Sequence, residues 1–138
     1  MASILLIDDD DDLRMITAQV LRQAGHTVSE APDGKTGLKL YHAGRHDLII
    51  TDIVMPDMDG LELIMSLRQT TPRPRIIAIS GDSQLSTPLY LPLARRLGVQ
   101  RTLAKPVRPE MLLQTVAEML AEPAPASSGP PLADDPRT

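Results

Sequence analysis

The stretch Leu48-Ile49-Ile50-Thr51-Asp52 decides the fold of this 138-residue chain, together with the similar stretch Ile4-Leu5-Leu6-Ile7-Asp8. Each is a short apolar run that leads into an aspartate. Runs of this length are too short for helices and are typical of parallel strands covered on both faces. We therefore predict two buried strands, each followed by a carboxylate.

Strand-like and helical segments alternate through the rest of the chain as far as about residue 120. Further strands are predicted at 27–30, 75–79 and 101–104, and helices are predicted to begin near Asp12, Asp33, Gly60 and Pro109. Asp12 is interpreted as the N-cap of the first helix. This alternation predicts a doubly wound α/β fold, in which a parallel sheet carries helices on both faces.

Composition narrows the possible functions. The chain has a net charge of −4 and no basic run, so direct nucleic-acid binding is not expected. It has no cysteine, which excludes thiolate zinc sites and disulfides. Its first residues lead directly into the first strand without a signal peptide or membrane span, so we expect a cytoplasmic protein without a membrane partner. We interpret residues 1–121 as one domain and the Pro-rich residues 122–138 as a disordered tail or linker.

Acidic residues follow two of the predicted strands. Asp8 and Asp9 come after the first strand and Asp52 after the third, and such strand ends meet at one edge of a parallel sheet. Three carboxylates this close require a proton or a hard cation, and Mg²⁺ suits them. We interpret the exposed run of Asp10, Asp11 and Asp12 as solvated residues, apart from the capping role of Asp12.

Ser80 and Lys105 end the fourth and fifth predicted strands at the same edge. A carboxylate, a cation, an ammonium and a hydroxyl together form a phosphoryl-transfer site, because a carboxylate can attack phosphorus and the others stabilise its oxygens. The proline after Lys105 is consistent with a cis bond that aims the lysine at the site, and equally with a plain strand end.

The segments 4–10, 47–60 and 103–106 resemble those of response-regulator receiver domains of bacterial two-component systems, and the resemblance covers about residues 3–121. It implies a flavodoxin-like five-stranded sheet of order 2-1-3-4-5. It also implies Asp52 as phosphoacceptor, Ser80 as switch hydroxyl and Lys105 as phosphate contact. The Mg²⁺ ligands would be Asp8, Asp9, Asp52 and the backbone carbonyl of Val54.

The resemblance further implies how such a domain acts. It would accept a phosphoryl group from a sensor histidine kinase or a histidine phosphotransfer protein and switch a face that binds a downstream protein or a second copy. It would be a signalling domain, with at most slow autophosphorylation and autodephosphorylation, and not an enzyme in the usual sense.

Two features depart from the family pattern. Thr102 occupies the position of a usual aromatic residue in the fifth strand, which places the relay from Ser80 in question. Pro88 and Pro92 fall where the fourth helix belongs, so we expect that helix to be shortened.

Two other functions remain open at this point. A pseudo-receiver would bind partners without phosphorylation, a hypothesis that the departures at Thr102 and the prolines permit. A haloacid-dehalogenase-like phosphotransferase would use the loop after the first strand as its nucleophile, but it lacks a later acidic pair before the tail.

Overall fold

The computed structural model describes residues 2–53, 60–70, 74–80 and 98–122, and only the backbone of Gly60, Leu61 and Ser80. The strands and helices alternate along these segments. The strands are β1 (Ser3–Ile7), β2 (Thr27–Ala31), β3 (Leu48–Asp52), β4 (Ile76–Ser80) and β5 (Arg101–Ala104). The helices are α1 (Asp11–Gln23), α2 (Gly34–Ala43), α3 (Gly60–Leu67) and α4 (Pro109–Ala121).

The five strands form one parallel sheet of order β2-β1-β3-β4-β5, as predicted. Ile7 at the end of β1 lies beside Thr51 of β3, and Asp52 lies beside Ile79 of β4. The carboxyl ends of β1, β3 and β4 therefore lie next to one another at a single edge. In a doubly wound sheet this edge, where the strand order reverses, is the usual location of a functional site.

Alternation of side chains along each strand divides the core into two aliphatic clusters. One cluster packs α1 and α4 against residues such as Ile4, Leu6, Ile50 and Ile77. The other packs α3 against the opposite face through Leu5, Ile7, Ile49, Ile76 and Ala78, with side chains of α2 packed against it. Because both faces are covered, β3 is buried along its whole length, and this explains its unbroken apolar sequence.

Helix α2 approaches β1 so closely that one position excludes a side chain. A Cβ atom at Gly37 would lie 2.8 Å from Cγ1 of Ile7 and still closer to its Cδ1. Ile7 is fully buried, and its side chain would have to shift to admit that atom. The glycine thus permits the contact that keeps the carboxyl end of β1 in place beneath α2.

The structure corrects the predicted start of α1. Asp10, and not Asp12, is the N-cap, since its side chain accepts a hydrogen bond from the backbone N–H of Leu13. Five consecutive aspartates contain no periodicity that marks the first helical turn, and capping geometry selects the residue that reaches N3. Asp10, Asp11 and Asp12 are all exposed, as predicted, but Asp11 and Asp12 belong to the helix.

Several predictions concern residues outside the described segments. These predictions are the shortened helix around Pro88 and Pro92 and the disordered tail after Glu122. The division of the chain at residue 121 also stays a prediction. Among the helices that are described, none is long and apolar enough to cross a membrane.

Candidate functional site

Three carboxylates meet at the carboxyl edge of the sheet. Asp8 follows β1, Asp9 is its neighbour, and Asp52 is the last residue of β3. Each offers an oxygen atom, and these oxygens lie within 4.8 Å of one another. Asp8 and Asp52 are 7% and 6% exposed, whereas Asp9 is exposed to solvent. The pairing of β1 with β3 therefore produces the convergence that the sequence predicted.

Lys105, directly after β5, reaches across the sheet edge to these carboxylates. Its Nζ atom lies 2.9 Å from Oδ2 of Asp52 and 3.5 Å from Oδ2 of Asp8. The peptide bond between Lys105 and Pro106 is cis, which settles the two alternatives left open by the sequence. Three ionised carboxylates and one ammonium leave a net charge of −2, which a divalent cation would neutralise.

Burial and neighbouring charges shift the pKa values of Asp8 and Lys105. Burial raises the pKa of Asp8, an effect that the hydrogen bond from the Asp10 N–H and the charge of Lys105 only partly offset. Desolvation acts to lower the pKa of Lys105, but its hydrogen bond to Asp52 and the charges of Asp52 and Asp8 outweigh it and raise that pKa. Lys105 is therefore held as a cation. The neighbours of Asp8 do not fully offset the cost of burying its ionised carboxylate.

The loop between β1 and α1 is held by hydrogen bonds to its backbone. The Asp10 N–H donates to Oδ1 of Asp8 at 3.0 Å, and the Asp8 N–H donates to the carbonyl of Ala31 at 3.1 Å. Nη1 of Arg14 donates to the carbonyl of Asp8 at 2.7 Å. Arg14 was not predicted from the sequence as part of the site. Its signal is its place on α1, shortly after the acidic run.

A cleft of about 380 Å³ opens beside these groups, between the sheet edge and the first turns of α1 and α4. Asp8, Asp52 and Lys105 form its polar wall, and aliphatic residues such as Leu13 and Val107 form the opposite one. The chemistry available is that of a carboxylate nucleophile beside a cation site and a fixed ammonium.

The remaining predicted residues are placed in part or not at all. The backbone of Ser80 ends β4 beside Ala104, while its hydroxyl and all of Val54 lie outside what the structure describes. Thr102 lies in β5 opposite Ala78 and is half-buried. The structure thus brings together Asp8, Asp9, Asp52 and Lys105.

Known proteins resemble this chain in sequence and in fold. The response regulator receiver domain family matches residues 4–117. The sensor kinase CckA of Brucella abortus is 36% identical over 121 residues, which cover 86% of this chain and 12% of CckA. The DNA-binding transcriptional regulator NtrC of Azospirillum brasilense is 35% identical over 129 residues, covering 94% of this chain and 26% of NtrC. The chain thus spans only a minor part of these two relatives.

Solved structures give the same result at the scale of a whole chain. The chemotaxis protein CheY4 of Vibrio cholerae superposes with a TM-score of 0.79 at 30% identity, covering 86% of this chain and 98% of that one. A CheY-like receiver domain of Methanospirillum hungatei gives a TM-score of 0.79 at 29% identity, covering 87% and 94%. These likenesses favour the receiver family over the haloacid-dehalogenase-like alternative. The chain belongs to the response regulator receiver domains of two-component systems, which are signalling domains.

Proposed function

We propose that this receiver domain is a phosphorylation switch whose acceptor is Asp52. The observation that carries the proposal is the position of the Asp52 carboxylate, which is buried at the end of β3, bonded to Lys105 and adjacent to Asp8 and Asp9. A buried carboxylate of this kind has a nucleophilic oxygen, a neighbouring cation site and a fixed positive charge. Together these are the requirements for accepting a phosphoryl group.

In the transfer step, an Asp52 oxygen attacks the phosphorus of a phosphohistidine on a sensor histidine kinase or a histidine phosphotransfer protein. A P–O bond forms and the P–N bond breaks, and the leaving ring nitrogen keeps the electron pair and takes up a proton. Lys105 has three N–H donors, so it can follow the negative charge from the carboxylate to the phosphoryl oxygens. Slow attack by water on phosphorus later releases phosphate and restores Asp52.

The acidic groups fit Mg²⁺ by charge and by ligand type. Asp8, Asp9 and Asp52 would hold it together with the backbone carbonyl of Val54, as the family resemblance implies. When bound, Mg²⁺ offsets negative charge on the transferring oxygens. Ser80 would bond one of those oxygens and bias the output face toward a second packing, which a downstream protein or a second copy would recognise.

Exposed apolar side chains beside the site are consistent with a protein donor. Met15 and Ile16 in the first half of α1 are 56% and 58% exposed. They lie on the helix whose amino end carries the acidic loop, so a protein docked on them could bring a phosphohistidine to Asp52. The net charge of −4 does not favour nucleic acid as a partner, and we propose a cytoplasmic location.

The decisive experiment measures intact mass after incubation with Mg²⁺ and phosphoramidate. Wild-type protein should gain one labile phosphoryl group, and Asp52→Asn or omission of Mg²⁺ should abolish the gain. Asp47→Asn is the matched control, because Asp47 precedes the same strand at the opposite end of the sheet. No adduct on the wild type would favour the pseudo-receiver. An adduct that survives in Asp52→Asn and is lost in Asp8→Asn would identify a different nucleophile.

A further inference from the structure

A guanidinium group lies behind the acidic loop that joins β1 to α1. Nη1 of Arg14 donates to the backbone carbonyl of Asp8 at 2.7 Å, and Nη2 pairs with Oδ1 of Asp11 at 2.8 Å. The Arg14 side chain is only 14% exposed. One side chain therefore ties the end of β1 to the first turn of α1 across the acidic loop.

The orientation of this guanidinium is set from β2. Nε of Arg14 donates to Oε1 of Glu30 at 3.2 Å, and Arg22 binds the other Glu30 oxygen, also at 3.2 Å. Arg22 in turn donates to the carbonyl of Val28 at 2.9 Å. The planar fork of Arg14 thus makes contacts with three chain segments at once, which a lysine ammonium cannot reproduce in the same geometry.

These contacts bear directly on where the Asp8 carboxylate points. The carbonyl of Asp8 is bound to Arg14, its Oδ1 accepts from the Asp10 N–H, and its Oδ2 faces Lys105 at 3.5 Å. A rotation of the Asp8 peptide unit would move Asp8 and Asp9 away from Asp52. The backbone contact with Arg14 restricts that rotation.

We propose that Arg14, oriented by Glu30, is a positioning residue that sets the acidic loop for cation binding. The inference rests on the proposed function of the carboxylates as an Mg²⁺ site. Arg14 does not touch the reacting atoms. Its effect is to keep the Asp8 and Asp9 oxygens close to that of Asp52, so that the ligands need no rearrangement when the cation binds.

The sign of the effect separates positioning from electrostatics. A positive charge near a cation site opposes Mg²⁺ binding, so electrostatics alone predicts that Arg14→Gln binds Mg²⁺ more tightly. Positioning predicts weaker binding. Arg14→Lys keeps the charge and loses the fork, so electrostatics predicts unchanged affinity and positioning predicts a loss.

The experiment follows Mg²⁺ titrations of the full chain by NMR, using amide shifts of β1 and β3, because the protein has no tryptophan to report binding. We expect the Mg²⁺ Kd to rise about tenfold in both Arg14→Gln and Arg14→Lys, the usual effect of losing an outer-shell partner. Glu30→Gln should raise it by a smaller factor. Arg101→Gln, which removes an arginine contact at the opposite end of the sheet, should leave it unchanged.

A second measurement follows the rate of adduct formation with phosphoramidate as Mg²⁺ is varied. Positioning predicts that the half-saturating Mg²⁺ concentration shifts with Kd, while the rate at saturating Mg²⁺ stays within about twofold of wild type. Urea unfolding checks that each variant is folded. If Arg14→Gln does not fold, Arg14→Lys carries the test, because Glu30→Gln is expected to weaken Mg²⁺ binding under either explanation.

Wild-type affinity in Arg14→Lys, tighter binding in Arg14→Gln, or an equal loss in Arg101→Gln would overturn the positioning role. Failure of the proposed function looks different. In that case the wild type forms no adduct, while the Mg²⁺ titrations of the variants still report on Arg14.

Discussion

The carboxyl and amino ends of the sheet handle their ionisable groups in opposite ways. At the carboxyl end, Asp8, Asp52 and Lys105 are largely buried, and burial raises the pKa of Asp8. At the amino end, Arg101 pairs with Glu122 at the half-exposed surface, and the imidazole of His26 accepts a hydrogen bond from the Ala2 N–H. Charge is concentrated where a cation and a phosphoryl group would use it, at a cost to stability.

The largest difference between the two ends should appear on removing one cation from each. Lys105→Met removes the ammonium group that contacts both Asp8 and Asp52. Removing one partner of a buried pair costs about 3–5 kcal/mol, and because Lys105 is 21% exposed we expect about 2 kcal/mol. The free energy of unfolding in urea at pH 7.5 with EDTA is the measurement.

The matched variant at the amino end is Arg101→Gln. Both partners of its ion pair are more than a third exposed, so the expected cost is below about 1 kcal/mol. If both variants lose the same unfolding free energy, the ion pairs at the carboxyl end contribute no more to stability than the ion pair at the amino end, and the proposed difference between the two ends is wrong.

Cation binding should reverse the penalty at the carboxyl end. Wild-type protein should gain on the order of 1–2 kcal/mol of unfolding free energy at Mg²⁺ concentrations 10 to 30 times Kd. Asp8→Asn should lose most of this gain and be more stable than wild type without Mg²⁺, since burial disfavours the ionised carboxyl.

The pH dependence of Asp8 has a definite sign. Because its folded-state pKa is raised above 3.8, wild type should lose stability relative to Asp8→Asn as pH rises from 4 to 7 without Mg²⁺. Asp47→Asn is the control and should keep the full Mg²⁺ response. An Mg²⁺ response retained in Asp8→Asn would contradict the assignment of Asp8 as a ligand.

Asp33, also at the carboxyl end, sharpens the comparison because its charge is stabilising. Its carboxylate caps α2 by accepting from the Thr36 N–H at 2.7 Å, and this hydrogen bond lowers the pKa of Asp33. Asp33→Ala should cost about 1 kcal/mol at pH 7, whereas Asp33→Asn should cost less, since asparagine keeps the capping hydrogen bond and loses only the charge.

The contribution of the Asp33 charge should disappear in acid. Because the pKa of Asp33 is lowered by folding, its ionised carboxyl group stabilises the folded protein at pH values above 3.8. This stabilisation is lost as pH falls through the folded-state pKa. Urea unfolding at pH 7 and pH 3 should therefore show a smaller gap between wild type and Asp33→Ala at the lower pH. If the difference in unfolding free energy does not change with pH, the Asp33 cap stabilises α2 through its hydrogen bond and not through its charge.

Features that depend on local sequence were predicted, whereas contacts that only the fold creates were not. The parallel α/β architecture and the meeting of Asp8, Asp9, Asp52 and Lys105 follow from apolar runs and strand ends, whereas the strand order was implied by the family resemblance. The capping role of Asp10 did not follow, because five adjacent aspartates look alike until the backbone selects one. Arg14 was missed because its partners are distant in sequence, Asp8 just after β1 and Glu30 in β2, and only the fold brings them together.

The smallest expected effect concerns the histidines of the amino end. Desolvation lowers the pKa of His26 and of His46, so neither is favoured as a cation in the folded protein. A lowered histidine pKa leaves stability intact above 6.5 and reduces it as pH falls below that value. The two histidines should therefore contribute a decrease in Tm between pH 7.5 and 5.5 without Mg²⁺, opposite in sign to the contribution of Asp8.

His26→Asn isolates one of these two groups. In wild type, His26 Nδ1 accepts a hydrogen bond from the Ala2 N–H at 3.2 Å. The side-chain oxygen of asparagine can accept the same hydrogen bond, but asparagine does not titrate. The Tm decrease from pH 7.5 to 5.5 should shrink by about 1–2 °C. If the Tm decrease is the same in His26→Asn as in wild type, protonation of His26 does not contribute to the pH dependence of stability at the amino end.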